Sequence, residues 1–270
     1  MIRSDFHLHT CFSGDSKSSV ESMIESAIKK GLKTICFTDH QDFDYYPEDD
    51  NTISFDLDVQ RYFPTMAQYK EKYKDQIEIL TGVEFGMKEG IENSVWQMVK
   101  QYPFDFIIAS SHEAGGYDPY YPRYYDTFGE EQGIRIYFES IVKNISLFDG
   151  FQSYGHLDYA VRYLPSKNYF YHPKNYFDIL DVAMKKIIEM GKGIECNTSG
   201  LKYGLGQPHP RLEVLKRYRE LGGEILTIGS DAHKPEHIAY DFHLVPDMLK
   251  SIGFKYYTIF REQKPEFIKL

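Results

Sequence analysis

Seven runs of β-forming residues in this chain each end in side chains that can bind a metal ion. The endings are Asp5-Phe6-His7-Leu8-His9-Thr10, Thr38-Asp39-His40, Gly82-Val83-Glu84-Phe85-Gly86, Ser110-Ser111-His112-Glu113, Gly155-His156-Leu157-Asp158, Glu195-Cys196-Asn197 and Gly229-Ser230-Asp231-Ala232-His233. Runs such as Thr34-Ile35-Cys36-Phe37 and Phe104-Asp105-Phe106-Ile107-Ile108 precede them. In barrel-type α/β proteins the carboxyl ends of successive strands surround a shared site. One such ending carries little information, because a solitary histidine is more often a packed or surface residue than a ligand. Seven in succession point to a polynuclear metal centre at one end of a barrel.

The segments between the endings alternate strand and helix. The expected strands are 4–9, 33–39, 77–84, 104–111, 150–155, 193–197 and 224–230, and the expected helices 19–30, 59–74, 91–101, 130–147, 176–190 and 212–221. Phe177, Leu180, Met184, Ile187 and Ile188 recur at helical spacing. Ser18 and Glu21 have the separation of a capping box, and Gly31 suits the end of that first helix. An insertion over 113–128 is dense in Gly, Pro and Tyr, and reads either as a lid that stacks on a flat ring or as a packed surface loop. A short helix and a strand near 254–260 complete the chain. With no linker or low-complexity tract, 1–270 is expected to form one domain.

Composition narrows the function. No apolar run of about 18 residues exists, which excludes a membrane-spanning helix. The N-terminal residues lack a basic-then-apolar signal, so a cytoplasmic protein is expected. Cys11, Cys36 and Cys196 are odd in number and flank or occupy strand ends, which fits a reducing compartment better than a disulfide framework. A formal charge of −9 disfavours nucleic acid as a partner. It leaves a small phosphate ester open, because a metal cluster reverses the field locally.

His7 and His9 alternate along one strand and so point the same way. Glu84 and Asp231 supply carboxylates, which can bridge two cations as imidazoles rarely do. His40, His112, His156 and His233, with Asp15 in the loop after the first strand, are enough for second and third ions. This nitrogen and carboxylate mixture suits Zn, Fe or Mn. His172, His209, His237 and His243 match no ending and are expected at the surface or in packing, as is Cys196 in the core.

Taken together, the endings from Asp5 to His233 resemble the polymerase and histidinol phosphatase (PHP) family from residue 5 to about residue 240. The stretch Glu195-Cys196-Asn197-Thr198-Ser199-Gly200-Leu201-Lys202, followed by Pro208 and Pro210, is similar to the histidinol-phosphate phosphatase subgroup. The resemblance implies an α/β fold, a distorted, TIM-barrel-like (β/α)7 barrel, with three divalent transition-metal ions (Zn, Fe or Mn). It implies that His7, His9, Glu84 and Asp231 hold the first ion. Glu84 would bridge to the second, with His112 and His156, and Asp15, His40 and His233 would hold the third. Many family members carry histidine where Asp15 stands.

The implied reaction is hydrolysis of a small phosphate monoester, L-histidinol phosphate, by a hydroxide shared between metals, with Glu84 and Asp231 as catalytic residues and no phosphoenzyme. Arg162 and Lys202 are candidate phosphate contacts. Glu113 is a candidate for the substrate's imidazole or amine, or for orienting His112. Asn197 and Ser199 are further candidate substrate contacts at a strand end, where turn chemistry would equally account for them. Asp39 and a metal-bound water are the candidates for the leaving-group acid. A nucleotide or oligonucleotide-end phosphoesterase is the rival within the family, against which the acidic charge counts. A non-catalytic, metal-stabilised binding module is the rival of another class, and the absence of an apolar residue at any expected ligand position counts against it.

Overall fold

The structure is a computed structural model that describes residues 1–49 and 52–270. Strand β1 (Ser4–Leu8) leads through α1 (Val20–Lys29) to β2 (Thr34–Phe37), the short β3 (His40–Gln41), α2 (Val59–Tyr73) and β4 (Glu78–Gly86). Then come α3 (Glu92–Gln101), β5 (Phe106–Ser110), α4 (Pro122–Phe128), α5 (Glu130–Leu147) and β6 (Ser153–Tyr154). The chain continues with α6 (Phe177–Glu189), β7 (Gly193–Asn197), α7 (Ser199–Lys202), α8 (Leu212–Glu220) and β8 (Leu226–Gly229). Helix α9 (Val245–Ser251) and the hairpin β9 (Tyr256–Arg261) and β10 (Lys264–Lys269) follow.

The main sheet runs β1-β2-β4-β5-β6-β7-β8 with every neighbouring pair parallel. Its two edges meet: the His9 N–H donates to the Ala232 carbonyl at 3.0 Å and the Ala232 N–H to the His7 carbonyl at 3.3 Å. That closure gives the distorted (β/α)7 barrel. β3 extends the β2 path and pairs with the end of β4, placing His40 opposite Glu84.

Helices cover the barrel by apolar stripes. In α1, Val20, Met23, Ile24 and Ala27 are buried at helical spacing. Inside, Phe6 of β1 packs edge-on against Phe106 of β5, and Phe106 stacks on Phe260 of β9. The tail hairpin touches strand beginnings: the Leu226 N–H donates to Thr258 Oγ1, and Arg261 pairs with Glu78 through two N–H donors. It therefore plugs the amino end and leaves the carboxyl end of the barrel for the site.

Local differences from the expected elements have simple causes. Ser19, not Ser18, caps α1, accepting from the Ser22 N–H at 3.1 Å. Ser18 instead donates to the His233 carbonyl at 2.8 Å and ties the loop after β1 to the end of β8. The 113–128 insertion contains α4, whose Tyr124 and Tyr125 are buried. Of its tyrosines, Tyr120 reaches the cavity described below.

Candidate metal centre

The strand-end histidines converge on one carboxylate. Glu84 is fully buried near the end of β4. Its Oε2 lies 3.0 Å from His7 Nε2, 3.4 Å from His9 Nε2 and 3.2 Å from His40 Nδ1. Its Oε1 lies 2.9 Å from His156 Nε2 and 3.4 Å from His112 Nε2. Asp231 Oδ1 stands 3.6 Å from His9 Nε2 and 3.6 Å from His233 Nδ1. Asp15 Oδ2 lies 3.0 Å from His233 Nε2 and 3.8 Å from His40 Nε2. All nine expected ligand side chains thus gather at the carboxyl end of the barrel.

The register of β1 makes this possible. Asp5 pairs with Ile35, but Leu8 pairs with Phe37, so three steps on β1 match two on β2. Such a bulge re-aims side chains beside a site. His7 lies within it, and His7 and His9 both meet Glu84.

The donors fit metal ions. His9 Nε2, His40 Nδ1 and His233 Nε2 are buried and face carboxylate oxygens at 3.4, 3.2 and 3.0 Å without a properly directed hydrogen bond among the described residues, an expensive arrangement unless something else takes the lone pairs. Three ligand sets each lie within 4.8 Å: His9, His40 and His233; His7, His9 and Glu84; His40, Glu84 and His112. Imidazole nitrogen with carboxylate oxygen is the donor chemistry of Zn, Fe and Mn.

Charge reinforces the fit. Burial pushes the Glu84 and Asp231 carboxyls up, but His7 and its neighbouring cations outweigh it and hold both well below the usual range. Burial and the surrounding histidines hold His9 well below an ordinary imidazole, in the neutral ligand form. Burial also opposes charge on His7, yet Glu195 and Glu84 raise it well above 6.5. A cation entering here displaces that proton.

A shell of partners orients these groups. Glu195 Oε1 lies 2.7 Å from His7 Nδ1, and Glu195 Oε2 accepts from the His156 N–H at 2.9 Å. Asp42 Oδ2 lies 2.6 Å from His112 Nδ1. Ser110 Oγ donates to Glu84 Oε1 at 2.6 Å, and Ser13 Oγ lies 3.0 Å from His9 Nδ1. Two glycines leave room for the carboxylates: a Cβ at Gly229 would collide with Glu195 and His7, and one at Gly86 with Asp42. Glu195 was visible in the sequence only as part of a strand ending, and Asp42 as one acidic residue in a loop.

A cavity of about 390 Å³ opens over the cluster, lined by His40, His112, His156, Asp231 and His233. Arg162 and Lys202 line it too, with Tyr45, Phe55, Tyr120, Tyr159, Tyr163 and Tyr203 as an aromatic wall. Arg162 sits on the 3₁₀ turn Tyr159–Tyr163 that follows His156. Its Nη2 donates to Ser199 Oγ and, at 3.2 Å, to Asp231 Oδ2. Lys202 donates to the Asp231 carbonyl at 3.4 Å, and burial lowers its pKa.

Four expected placements differ. Glu113 turns away to a separate cavity of about 380 Å³ and pairs with Lys88 at 2.7 Å; Asp118 is the carboxylate from this insertion that lines the cavity over the cluster. Asn197 and Ser199 are fully buried behind Arg162, where Asn197 Oδ1 accepts from the Ser199 hydroxyl at 2.6 Å. Asp39 is fully buried and accepts from the Thr10 N–H at 2.6 Å and Ser13 Oγ at 2.8 Å. Enclosed there, it organises the loop after β1 and does not face a leaving group. His209 is buried, within the packing role expected of it, and is also a member of a polar chain.

Comparison with known proteins gives the same direction. The family model of the PHP domain matches residues 5–199. A histidinol-phosphatase of Lactococcus lactis is 30% identical over 98% of this chain and 96% of that protein. One from Bacillus subtilis is 26% identical over 90% of this chain and 97% of that protein. Among solved structures, histidinol phosphate phosphatase from Lactococcus lactis, complexed with Zn, L-histidinol and phosphate, matches with a TM-score of 0.87 and 29% identity. That alignment covers 98% of each chain.

Proposed function

The chain belongs to the PHP domain family, and on that footing we propose that it is a metal-dependent phosphomonoesterase that converts L-histidinol phosphate to L-histidinol and inorganic phosphate in histidine biosynthesis. The observation that carries the reading is the sharing of one cavity by the Glu84-centred histidine cluster and the guanidinium of Arg162. Cation ligands and an anion contact together define a site for a phosphate group. The relatives' names supply the substrate class.

The two oxygens of Glu84 face different histidines, Oε2 toward His7, His9 and His40 and Oε1 toward His112 and His156. This supports Glu84 as the bridge between two ions. Asp231 would complete the set of His7 and His9, and Asp15, His40 and His233 would hold a third. When bound, Zn, Fe or Mn would lower the pKa of water to near neutrality and withdraw charge from phosphoryl oxygens.

The protein's own groups would do the rest. Arg162 would pair with a phosphoryl oxygen and fix the ester in the cavity, with Lys202 adding a second positive charge. The wall of Tyr45, Phe55, Tyr120 and Tyr159 would exclude water and pack against the substrate's ring, while Asp118 would face its cationic part. Residues 1–270 would act as one catalytic domain. No helix among the described residues is long and apolar enough to cross a membrane, and three unpaired cysteines are consistent with the cytoplasm we assign.

Steady-state phosphate release from histidinol phosphate, a nucleoside monophosphate, bis(p-nitrophenyl) phosphate and single-stranded DNA tests the reading. Histidinol phosphate is expected to give the highest kcat/KM. A higher value for the nucleotide or DNA overturns the substrate assignment.

A further inference from the structure

His209 occupies the loop between α7 and α8, joined to β7 by two backbone hydrogen bonds with Asn197, both 2.8 Å. Its side chain is 1% exposed and lies between two charged residues. Asp158 Oδ1 is 2.5 Å from His209 Nδ1, while Asp158 Oδ2 accepts from the Arg211 N–H at 3.0 Å. A carboxylate only accepts, so the short contact places the imidazole proton on Nδ1 and leaves a lone pair on Nε2. Arg162 Nε donates toward that lone pair at 3.5 Å.

Arginine has five N–H donors in a fixed plane and no acceptor. In Arg162, Nε is directed to His209, Nη2 to Ser199 and Asp231, and the Tyr203 ring lies 4.3 Å from the guanidinium carbon. Among the described residues Nη1 donates to no protein acceptor, which leaves it for an oxyanion in the cavity. The plane of the guanidinium is thus set from behind, and His209 is the contact on its Nε edge.

We propose that His209, oriented by Asp158, is a positioning residue that holds Arg162 for recognition of a phosphoryl oxygen. The proposal rests on the phosphoesterase reading above. His209 touches neither the cavity nor the ligand cluster, and its effect passes through Arg162. This is a positioning device assembled from residues 47 and 51 positions apart.

Two substitutions separate the halves of the contact. His209→Asn keeps an amide donor near Nδ1 for Asp158 but has no atom near Nε2. His209→Gln can place its amide oxygen near Nε2 and so keeps an acceptor for Arg162. With metal-loaded enzyme, calorimetry with inorganic phosphate should show about tenfold weaker binding for His209→Asn and a loss of less than about threefold for His209→Gln. kcat/KM for histidinol phosphate should follow the same order. In an Arg162→Ala background, adding His209→Asn should change phosphate affinity by less than about twofold.

An undiminished effect of His209→Asn in the Arg162→Ala background overturns the proposal, because the histidine would then act independently. Equal phosphate affinity in native protein and His209→Asn overturns it as well. Phosphate binding requires no turnover, so failure to hydrolyse histidinol phosphate would sink the substrate reading while leaving this measurement intact. Should His209→Asn not fold, Asp158→Asn, which disturbs the tautomer without emptying the space, is expected to weaken phosphate binding, and unchanged affinity there overturns the proposal.

Discussion

Glu195 Oε1 lies 2.7 Å from His7 Nδ1, on the far side of the imidazole from Glu84, whose Oε2 is 3.0 Å from Nε2. A buried carboxylate behind a ligand histidine fixes its tautomer and raises its basicity toward a metal. Glu195→Gln keeps the volume but presents an amide N–H either to His7 or to the His156 N–H, which now share the two carboxylate oxygens. We expect metal affinity to fall by about 10- to 100-fold. Chelator competition measures this directly, and native affinity would reduce Glu195 to a space-filling role.

For Glu84 the expected defect is in turnover. An amide cannot face two groups of histidines with equivalent negative oxygens, so Glu84→Gln weakens one side of the proposed bridge. A loss of at least about a hundredfold is expected, corresponding to about 2.7 kcal/mol in barrier height. Elemental analysis must accompany the kinetics. Near-native turnover at full metal content would contradict the bridging role.

Gly229 ends β8 where Glu195 and His7 come closest to the backbone, and a methyl group there overlaps both. Gly229→Ala is expected to cost about 1–3 kcal/mol in stability, typical of overpacking a filled interior. It should also weaken metal binding, since the carboxylate must move off His7 to relieve the overlap. Urea denaturation and chelator competition on one preparation report both effects. Unchanged values for each would show that the strand end yields freely.

The barrel and most of its cluster were legible because ligand residue types recur at the ends of β-forming runs, and strand geometry brings such ends together. The orienting groups were not. Glu195 and Asp42 resemble any polar residue near a strand end until barrel closure decides which histidine each one faces. Asp158 and His209 are 51 positions apart and give no local signal. Adjacency was misleading for Glu113, because neighbouring side chains on extended backbone diverge: His112 turns to Glu84 while Glu113 turns to Lys88. The Tyr-rich insertion hid α4 because its tyrosines divide between packing and the cavity, as with buried Tyr124 and half-exposed Tyr120.

Asp118 gives a prediction in pH. Burial raises its carboxyl from 3.8 to about 6, against the hydrogen bonds from the Tyr45 hydroxyl at 2.6 Å and the Tyr120 N–H at 2.7 Å. The folded protein therefore binds this proton more tightly than the unfolded chain does. The associated stability is fully present below pH 3.8, is lost as pH rises through about 6, and stays lost above that. Asp118→Asn is neutral throughout; its amide oxygen can accept from the Tyr120 N–H while its nitrogen donates to the Tyr45 oxygen. Between pH 4 and 7 the stability difference should shift in favour of the variant by roughly 3 kcal/mol at the upper end. Urea denaturation of the metal-free protein across that range is the measurement, because bound cations would draw the carboxyl back down. Parallel pH profiles for the two proteins would mean that Asp118 keeps an ordinary carboxylate pKa in the fold.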